Sequence, residues 1–222
     1  MKFLGVIPAR AGSKRVPGKN TRLLGDTPLL AYTIRAAQES TLLDDFFVST
    51  EDPQIETLAH SYGSPVLIRP KALARDDSTT GEVAAHAVEA MKVDGQRFDA
   101  VVILHPTSPF RTGRHIDEAI DTYINGDRSY LASVEMLPKK THETVGSVTE
   151  EGWIPFAIGQ NLFKLNAAIY IVHCQEILES KSHTAPIGLG STPYIMDHQS
   201  SLDIDDELDW RIAEMVIRAR SR

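Results

Sequence analysis

Short apolar runs alternate along the chain with stretches in which apolar residues recur every three or four positions. Phe3 to Ile7 is a compact β-type run closed by Pro8. After Pro28, the residues Leu29, Leu30, Tyr32, Thr33, Ile34, Ala36 and Ala37 carry the spacing of a helix. Phe46 to Thr50 reads as a second strand. Ile55, Leu58, Ala59 and Tyr62 then give the i, i+3, i+4, i+7 face of a second helix. Pro65 to Ile68 is a third strand. Val83, Ala84, Ala87, Val88 and Met91 mark a third helix, and Ala100 to Leu104 is a strong fourth strand. A fourth helix through Ile116, Ala119, Ile120 and Tyr123 precedes a strand at Tyr130 to Val134. The strands are continuously apolar rather than alternating, which implies burial on both faces and helices over a parallel sheet. The first 135 residues therefore predict an α/β fold, doubly wound on a mostly parallel sheet.

The rhythm breaks after Val134. Residues 138–164 carry Pro138, Gly146, Gly152 and Pro155 with short alternating pieces around Val145, Val148, Trp153 and Ile154, the pattern of an extended arm or hairpin. A strand returns at Ala167 to Val172. A last helix begins near Asp206, with Leu208, Ile212, Met215, Val216 and Ala219 as its predicted packing stripe. No repeat or low-complexity stretch interrupts this order, so residues 1–222 are expected to form a single domain with the arm inserted.

Charge narrows the choice of partner. Thirty acidic side chains against 23 basic ones leave a net charge of −7. Bulk nucleic acid or an anionic membrane needs a basic face, so neither is expected as the main partner. The lone Cys174 has no internal disulfide partner, and the opening apolar run is too short for a signal peptide. A reducing, cytoplasmic setting is the expectation.

Against that acidic background one loop stands out. Pro8-Ala9-Arg10-Ala11-Gly12-Ser13-Lys14-Arg15-Val16-Pro17-Gly18-Lys19-Asn20 packs four bases, two glycines and a serine behind the first strand. Glycines let backbone N–H groups approach an anion and the cations neutralise it, so the loop has the makings of a phosphate cradle. A merely solvated basic loop is the alternative, but ligands in open α/β sheets bind at the carboxyl ends of strands, where this loop sits. It is not a Walker loop: five residues separate Gly12 from Gly18, and Asn20 stands where a magnesium-binding hydroxyl belongs. At the far end, Asp203 and Asp205 alternate with Leu202 and Ile204. In an extended segment they share a face, which suits either a hard cation or the cap of the helix that follows. Asp206, Glu207 and Asp209 read as caps and dipole partners. His105-Pro106-Thr107-Ser108-Pro109-Phe110-Arg111 follows the fourth strand, with two hydroxyls and Arg111 expected to face a ligand. No zinc, thiol or serine-nucleophile signature is present.

Together these segments resemble the acylneuraminate (CMP-sialic acid) cytidylyltransferases and their bacterial CMP-nonulosonate relatives. The likeness runs through residues 8–20, Ser49-Thr50-Glu51-Asp52, Arg69-Pro70, Leu73-Ala74, Pro106 to Pro109 with Arg111, Asn166, Ala168-Ile169-Tyr170, His198-Gln199 and Asp203-Ile204-Asp205. It implies a Rossmann-like nucleotide-diphospho-sugar transferase fold and transfer of CMP from CTP to the anomeric hydroxyl of a nine-carbon ulosonic acid, with Mg²⁺ and release of pyrophosphate. Pro8, Ala9, Gly12 and Ser13 would shape the nucleotide loop. Arg10, Lys14 and Lys19 would hold the triphosphate and Asn20 the ribose. Arg69, Asp76, Ser78 and Thr80 would form the cytosine pocket. His105, Pro106, Thr107, Ser108, Lys164, Asn166 and Gln199 would meet the sugar. Asp203 and Asp205 would bind Mg²⁺, Asp205 also drawing the proton from the attacking hydroxyl. The arm at residues 138–164 would make a homodimer and could bring Lys139, Lys140 or His142 to the partner's site.

Two departures fall on the sugar side. His105 stands where sialate members usually have Gln, and Lys164-Leu165-Asn166-Ala167 replaces Arg-Pro-Asn-Gly. A lysine is a point charge where an arginine is a fork, so N-acylneuraminate, legionaminate and pseudaminate all stay open. A Kdo-type cytidylyltransferase and a non-catalytic nucleotide-binding protein are the competing readings. The first would need Gly-Asp-Glu-Pro where this chain has Pro106 to Pro109. The second would not need Asp203 and Asp205.

Overall fold

The computed structural model describes residues 1–127, 129–138, 146–149, 152–155, 162–180 and 191–220. Seven strands form the central sheet. In chain order they are β1 (Phe3–Pro8), β4 (Asp45–Thr50), β5 (Val66–Ile68), β6 (Ala100–Ile103), β7 (Tyr130–Met136), β10 (Phe163–His173) and β11 (Thr192–Met196). In space the order is β11-β7-β10-β6-β1-β4-β5. β1 runs parallel to β4 and β6, β4 to β5, and β7 to β11. Only β10 is antiparallel to its neighbours, β6 and β7. The doubly wound, mostly parallel sheet expected from the apolar runs is the one found. Lys139, Lys140, His142 and most of the expected arm lie outside the described residues. Within it, β8 (Gly146–Thr149) and β9 (Gly152–Pro155) pair antiparallel.

Helices cover the sheet because each carries one apolar stripe. α1 (Leu29–Glu39), α2 (Pro53–Ser61) and α4 (Gly113–Asn125) bury Leu30, Ile34, Ile55, Ile116 and Ile120 against one face, with Ile7 and Val48. α3 (Thr80–Val93) and α5 (Cys174–Ser180) close the other over Leu4, Val6 and Val101. A minor hairpin, β2 (Leu23–Leu24) and β3 (Thr27–Pro28), turns the chain into α1.

The last helix, α6 (Glu207–Arg220), packs differently from its sequence pattern. Trp210 and Ala213 are its buried residues, joined by Val216 and Ile217 over Val16, Leu24, Leu29, Phe110 and Ile204. Leu208, Ile212, Met215 and Ala219, four of the five residues of the predicted stripe, are exposed. The real packing face is centred on one large indole, and Arg22 stacks on that ring at 4.3 Å. A pattern that counts only small aliphatics points to the wrong side. α5 and β11 were not predicted, because their apolar residues are too few to set a period.

Strand order reverses at β1, since the chain moves outward to β4 and β5 on one side and to β6 on the other. The carboxyl ends of β1 and β6 therefore border a crevice that the fold leaves open.

Candidate active site

That crevice is a cleft of about 420 Å³. Its floor is the end of β1 with Pro8 and the end of β6 with His105, Pro106 and Thr107. The basic loop supplies Arg10, Ser13, Lys14, Arg15, Lys19 and Asn20 along one wall. Arg69, Arg75, Asp76, Ser78, Thr79 and Thr80 form the opposite wall, and Asp205 closes the end. Fourteen of the positions expected from sequence thus line one cavity, although they span nearly two hundred residues of chain.

Local chemistry explains each placement. Ala9 is buried and its N–H donates to the Ser49 carbonyl, pinning the loop's start to β4. Gly18 has φ of 63°, the left-handed region, and its carbonyl accepts from the N–H groups of Thr21 and Arg22. Asn20 is buried, and its side-chain N–H donates to the Arg10 carbonyl at 2.9 Å, so it holds the loop from within. On the far wall Thr79 caps α3 in a reciprocal box with Glu82, which sets Thr80 at the first helical turn facing the cleft.

Glu51 carries a role that sequence reasoning left blank. One of its carboxylate oxygens accepts from Arg69 Nε and Nη2 at 3.0 and 2.8 Å, and the other from the Ala11 N–H at 3.0 Å. Arg69 is buried, so Glu51 neutralises the guanidinium and ties it to the phosphate loop. Its only sequence signal was membership of the Ser49-Thr50-Glu51-Asp52 segment. Across the cleft, Asp76 is ion-paired to both Arg10, at 2.8 Å, and Lys14. Hydrogen bonds from Lys14 and then Arg10 hold its carboxyl below the usual range.

The carboxylate end is built around Ile204. Its side chain is fully buried, its N–H donates to the Thr107 carbonyl at 2.9 Å, and its own carbonyl accepts from Lys19 Nζ at 2.6 Å. Asp203 and Asp205 flank this fixed residue. Burial pushes the Asp203 carboxyl up, and its Oδ1 is buried without a protein hydrogen-bond partner. Asp205 is exposed, with Arg15 at 3.9 Å. Burial also holds the Lys19 ammonium below its ordinary value, against the opposing pull of Asp205 and Asp203. The capping alternative goes to other residues: Asp206 accepts from the N–H groups of Leu208 and Asp209, and Asp209 from those of Asp205 and Asp206. Asp203 takes a side-chain hydrogen bond from Thr107, and its remaining, orphaned Oδ1 beside the exposed Asp205 carboxylate fits a cation. Among the described residues no three His, Cys, Asp or Glu side chains could enclose an ion.

The acceptor side matches its expectations less closely. His105 faces Thr80 Oγ1 across 3.4 Å and meets Tyr170 edge-on at 5.7 Å. Burial, with Arg111 nearby, pushes its pKa down to about 4, so the ring is neutral at pH 7. Arg111 does not face the cleft. It is turned inward, donating to the carbonyls of His105 and Ala168 and to Thr33 Oγ1 at 3.0, 2.8 and 2.6 Å. Asn166 is also consumed internally: its Oδ1 accepts from Ser133 Oγ and from the Ala168 N–H, and its amide N–H donates to Ser201 Oγ. Both corrections have one cause. β10 departs from regular pairing with β7 between Leu165 and Tyr170, and the freed polar groups of that irregularity need internal partners. Ser108 is buried as well. Gly12, Lys164 and Gln199 lie outside the cleft's lining.

The cytidylyltransferase family model matches residues 4–183. The chain belongs to the cytidylyltransferase family. That bears out the resemblance carried by its motifs and the nucleotidyltransferase class that came with it. The chain is 34% identical over 230 residues to an N-acylneuraminate cytidylyltransferase of Escherichia coli, matching all of this chain and 53% of that protein. It is equally 34% identical to a CMP-N,N'-diacetyllegionaminic acid synthase of Legionella pneumophila, over 98% of this chain and 97% of that one. The chain therefore spans about half the length of one such relative and nearly all of the other. A solved CMP:2-keto-3-deoxy-manno-octonic acid synthetase complexed with CTP has the same fold, with a TM-score of 0.74 over 99% of this chain and 100% of that chain at 16% identity. Among the described residues, no helix is long and apolar enough to cross a membrane.

Proposed function

We propose that this cytidylyltransferase moves CMP from CTP to the anomeric hydroxyl of a sialic-acid-like nine-carbon ulosonic acid and releases pyrophosphate. The observation that carries the reading is the reach of Lys19. It belongs to the phosphate loop yet bonds the carbonyl between Asp203 and Asp205, so loop cations and acidic pair meet at one point. Two relatives of equal identity act, by their names, on different nonulosonic acids, and this supports the acceptor class rather than one sugar.

In that reaction Arg10, Lys14 and Lys19 take the triphosphate charge, the first two by exchanging Asp76 for phosphate oxygens. The acceptor hydroxyl oxygen bonds the α-phosphorus while the bond to pyrophosphate breaks. The hydroxyl proton passes to the Asp205 carboxylate, and the loop cations neutralise the leaving group. Asp203 and Asp205 would hold Mg²⁺, which supplies charge neutralisation at the phosphates. Arg69, fixed by Glu51, and Thr80 frame the base pocket.

Residues 1–222 work in this reading as one domain and as a homodimer. Met136, Phe163, Leu165 and Ile195 lie on one sheet face, each at least two-fifths exposed, beside the segment that carries β8 and β9. A second copy covering that face would bury them.

The test is pyrophosphate release from CTP and Mg²⁺ with N-acetylneuraminate, legionaminate, pseudaminate and Kdo. Turnover with a nine-carbon acid and not with Kdo is expected. Turnover with Kdo alone would overturn the acceptor class.

A further inference from the structure

Beyond the cleft's lining, the sheet edge built by β7, β10 and β11 contains a polar pair that no step above uses. β10 is antiparallel to both β6 and β7, so β7 and β11 run with β6. Their carboxyl ends, at Met136 and Met196, lie on the same edge of the sheet as the ends of β1 and β6. Glu135 is buried near the end of β7, and His198 follows β11 by two residues. The Glu135 carboxylate is bonded to His198 Nδ1, while the rest of the exposed imidazole faces outward. From His198 the chain runs to Ser201, bonded to Asn166, and on to Ile204, bonded to Thr107. The pair is thus built into the same framework that holds the acidic residues and the floor of the cleft. It stands on the side away from the basic loop. Lys164 is the cross-strand partner of Glu135 and shares its sheet face.

A nearly buried carboxylate has a definite effect on an imidazole. In the neutral ring it accepts from Nδ1–H, the tautomer that leaves Nε2 as a hydrogen-bond acceptor. An acceptor at a fixed point recognises an O–H donor. The nucleotide occupies the opposite wall in the proposed reaction, so the ligand reaching this edge is the polyhydroxylated acid. We infer that His198, oriented by Glu135, is a specificity-determining residue that accepts a hydrogen bond from a hydroxyl of the ulosonic acid. This assignment deepens the proposed function and rests on it. Glu135 acts through His198 and is a positioning residue.

The experiment is steady-state kinetics of His198→Ala, His198→Gln and Glu135→Gln, with CTP and the acid varied separately and CTP binding followed by thermal shift. Loss of one such bond is expected to raise KM for the acid about tenfold in His198→Ala, or ~1.4 kcal/mol. KM for CTP and the CTP thermal shift should stay at wild-type values. Glu135→Gln should give a smaller rise of the same kind, because its amide no longer imposes one tautomer. His198→Gln should recover part of the loss through its carbonyl oxygen. Acids lacking one hydroxyl each then locate the contact, since for one of them wild type and His198→Ala should become equal. An unchanged KM for the acid, or parallel loss of acid and CTP binding, would overturn the assignment. So would equal penalties on every deoxy acid. Wild-type protein that binds CTP but turns over none of the acids would instead sink the underlying reaction, and this assignment with it.

Discussion

Ala167 sits at φ of 56°, the one described non-glycine residue with positive φ, beside the irregularity in β10. A side chain there costs roughly 1–2 kcal/mol, part of which glycine returns as unfolded-state entropy. Ala167→Gly should therefore raise stability by about 0.5–1 kcal/mol, read as a higher denaturant midpoint at unchanged slope. In the sequence this position is legible only as a departure from the family's Asn-Gly. Asp76 makes a second residue-scale test. It pairs with the two cations proposed to take the triphosphate, so Asp76→Asn should tighten pyrophosphate binding in titration calorimetry. Weaker binding would instead assign Asp76 to the ligand. For Asp205→Asn a loss of turnover on the order of 10²-fold is expected, with the CTP thermal shift retained. Intact turnover would remove both its metal and its proton role.

At the scale of elements, His105 couples the end of β6 to acid stability. Its folded-state pKa of about 4 lies below the 6.5 of a free imidazole. Between those values the unfolded chain binds a proton that the folded chain refuses. Stability should therefore fall as pH drops from 6.5 towards 4, with no such penalty above 6.5. His105→Gln should flatten that limb in a pH series of urea melts. Glu51, just past the end of β4, is the corresponding test. Its removal would leave Arg69 buried and uncompensated, so Glu51→Ala should cost about 3–5 kcal/mol. These elements also show what could be read from sequence. β1, β4 and β6 were legible because continuous apolar runs have few other uses, and their loops were legible because a basic cluster is anomalous in an acidic chain. The inward turn of Arg111 and Asn166 was not legible. It depends on an irregularity in β10, and an irregularity of pairing leaves no periodic signature.

Across the whole molecule, the cleft's walls and floor come from residues up to Thr107, with Asp205 closing the end, while the neighbouring sheet edge comes from β7, β10, β11 and the turn that follows. Of the two departures from the sialate pattern, 164–167 falls in the second group and His105 in the first, where its ring meets Tyr170 of β10 edge-on. The exposed sheet face of Met136, Phe163, Leu165 and Ile195 belongs to that edge too, so for the proposed homodimer Phe163→Glu should shift the light-scattering mass towards monomer. An unchanged dimer would place the interface elsewhere. The last helix was misread because Trp210 alone outweighs several smaller side chains.

Ile204 has one more consequence. Held through its N–H, its carbonyl and its buried side chain, it acts as a rigid spacer between Asp203 and Asp205. Two carboxylates on such a spacer cannot spread to embrace a larger, many-coordinate ion. They suit a small cation that keeps its own water and demands strict angles. Calcium should therefore be a poor substitute for magnesium in the turnover assay, and loosening the spacer with Ile204→Gly should narrow the gap between the two metals.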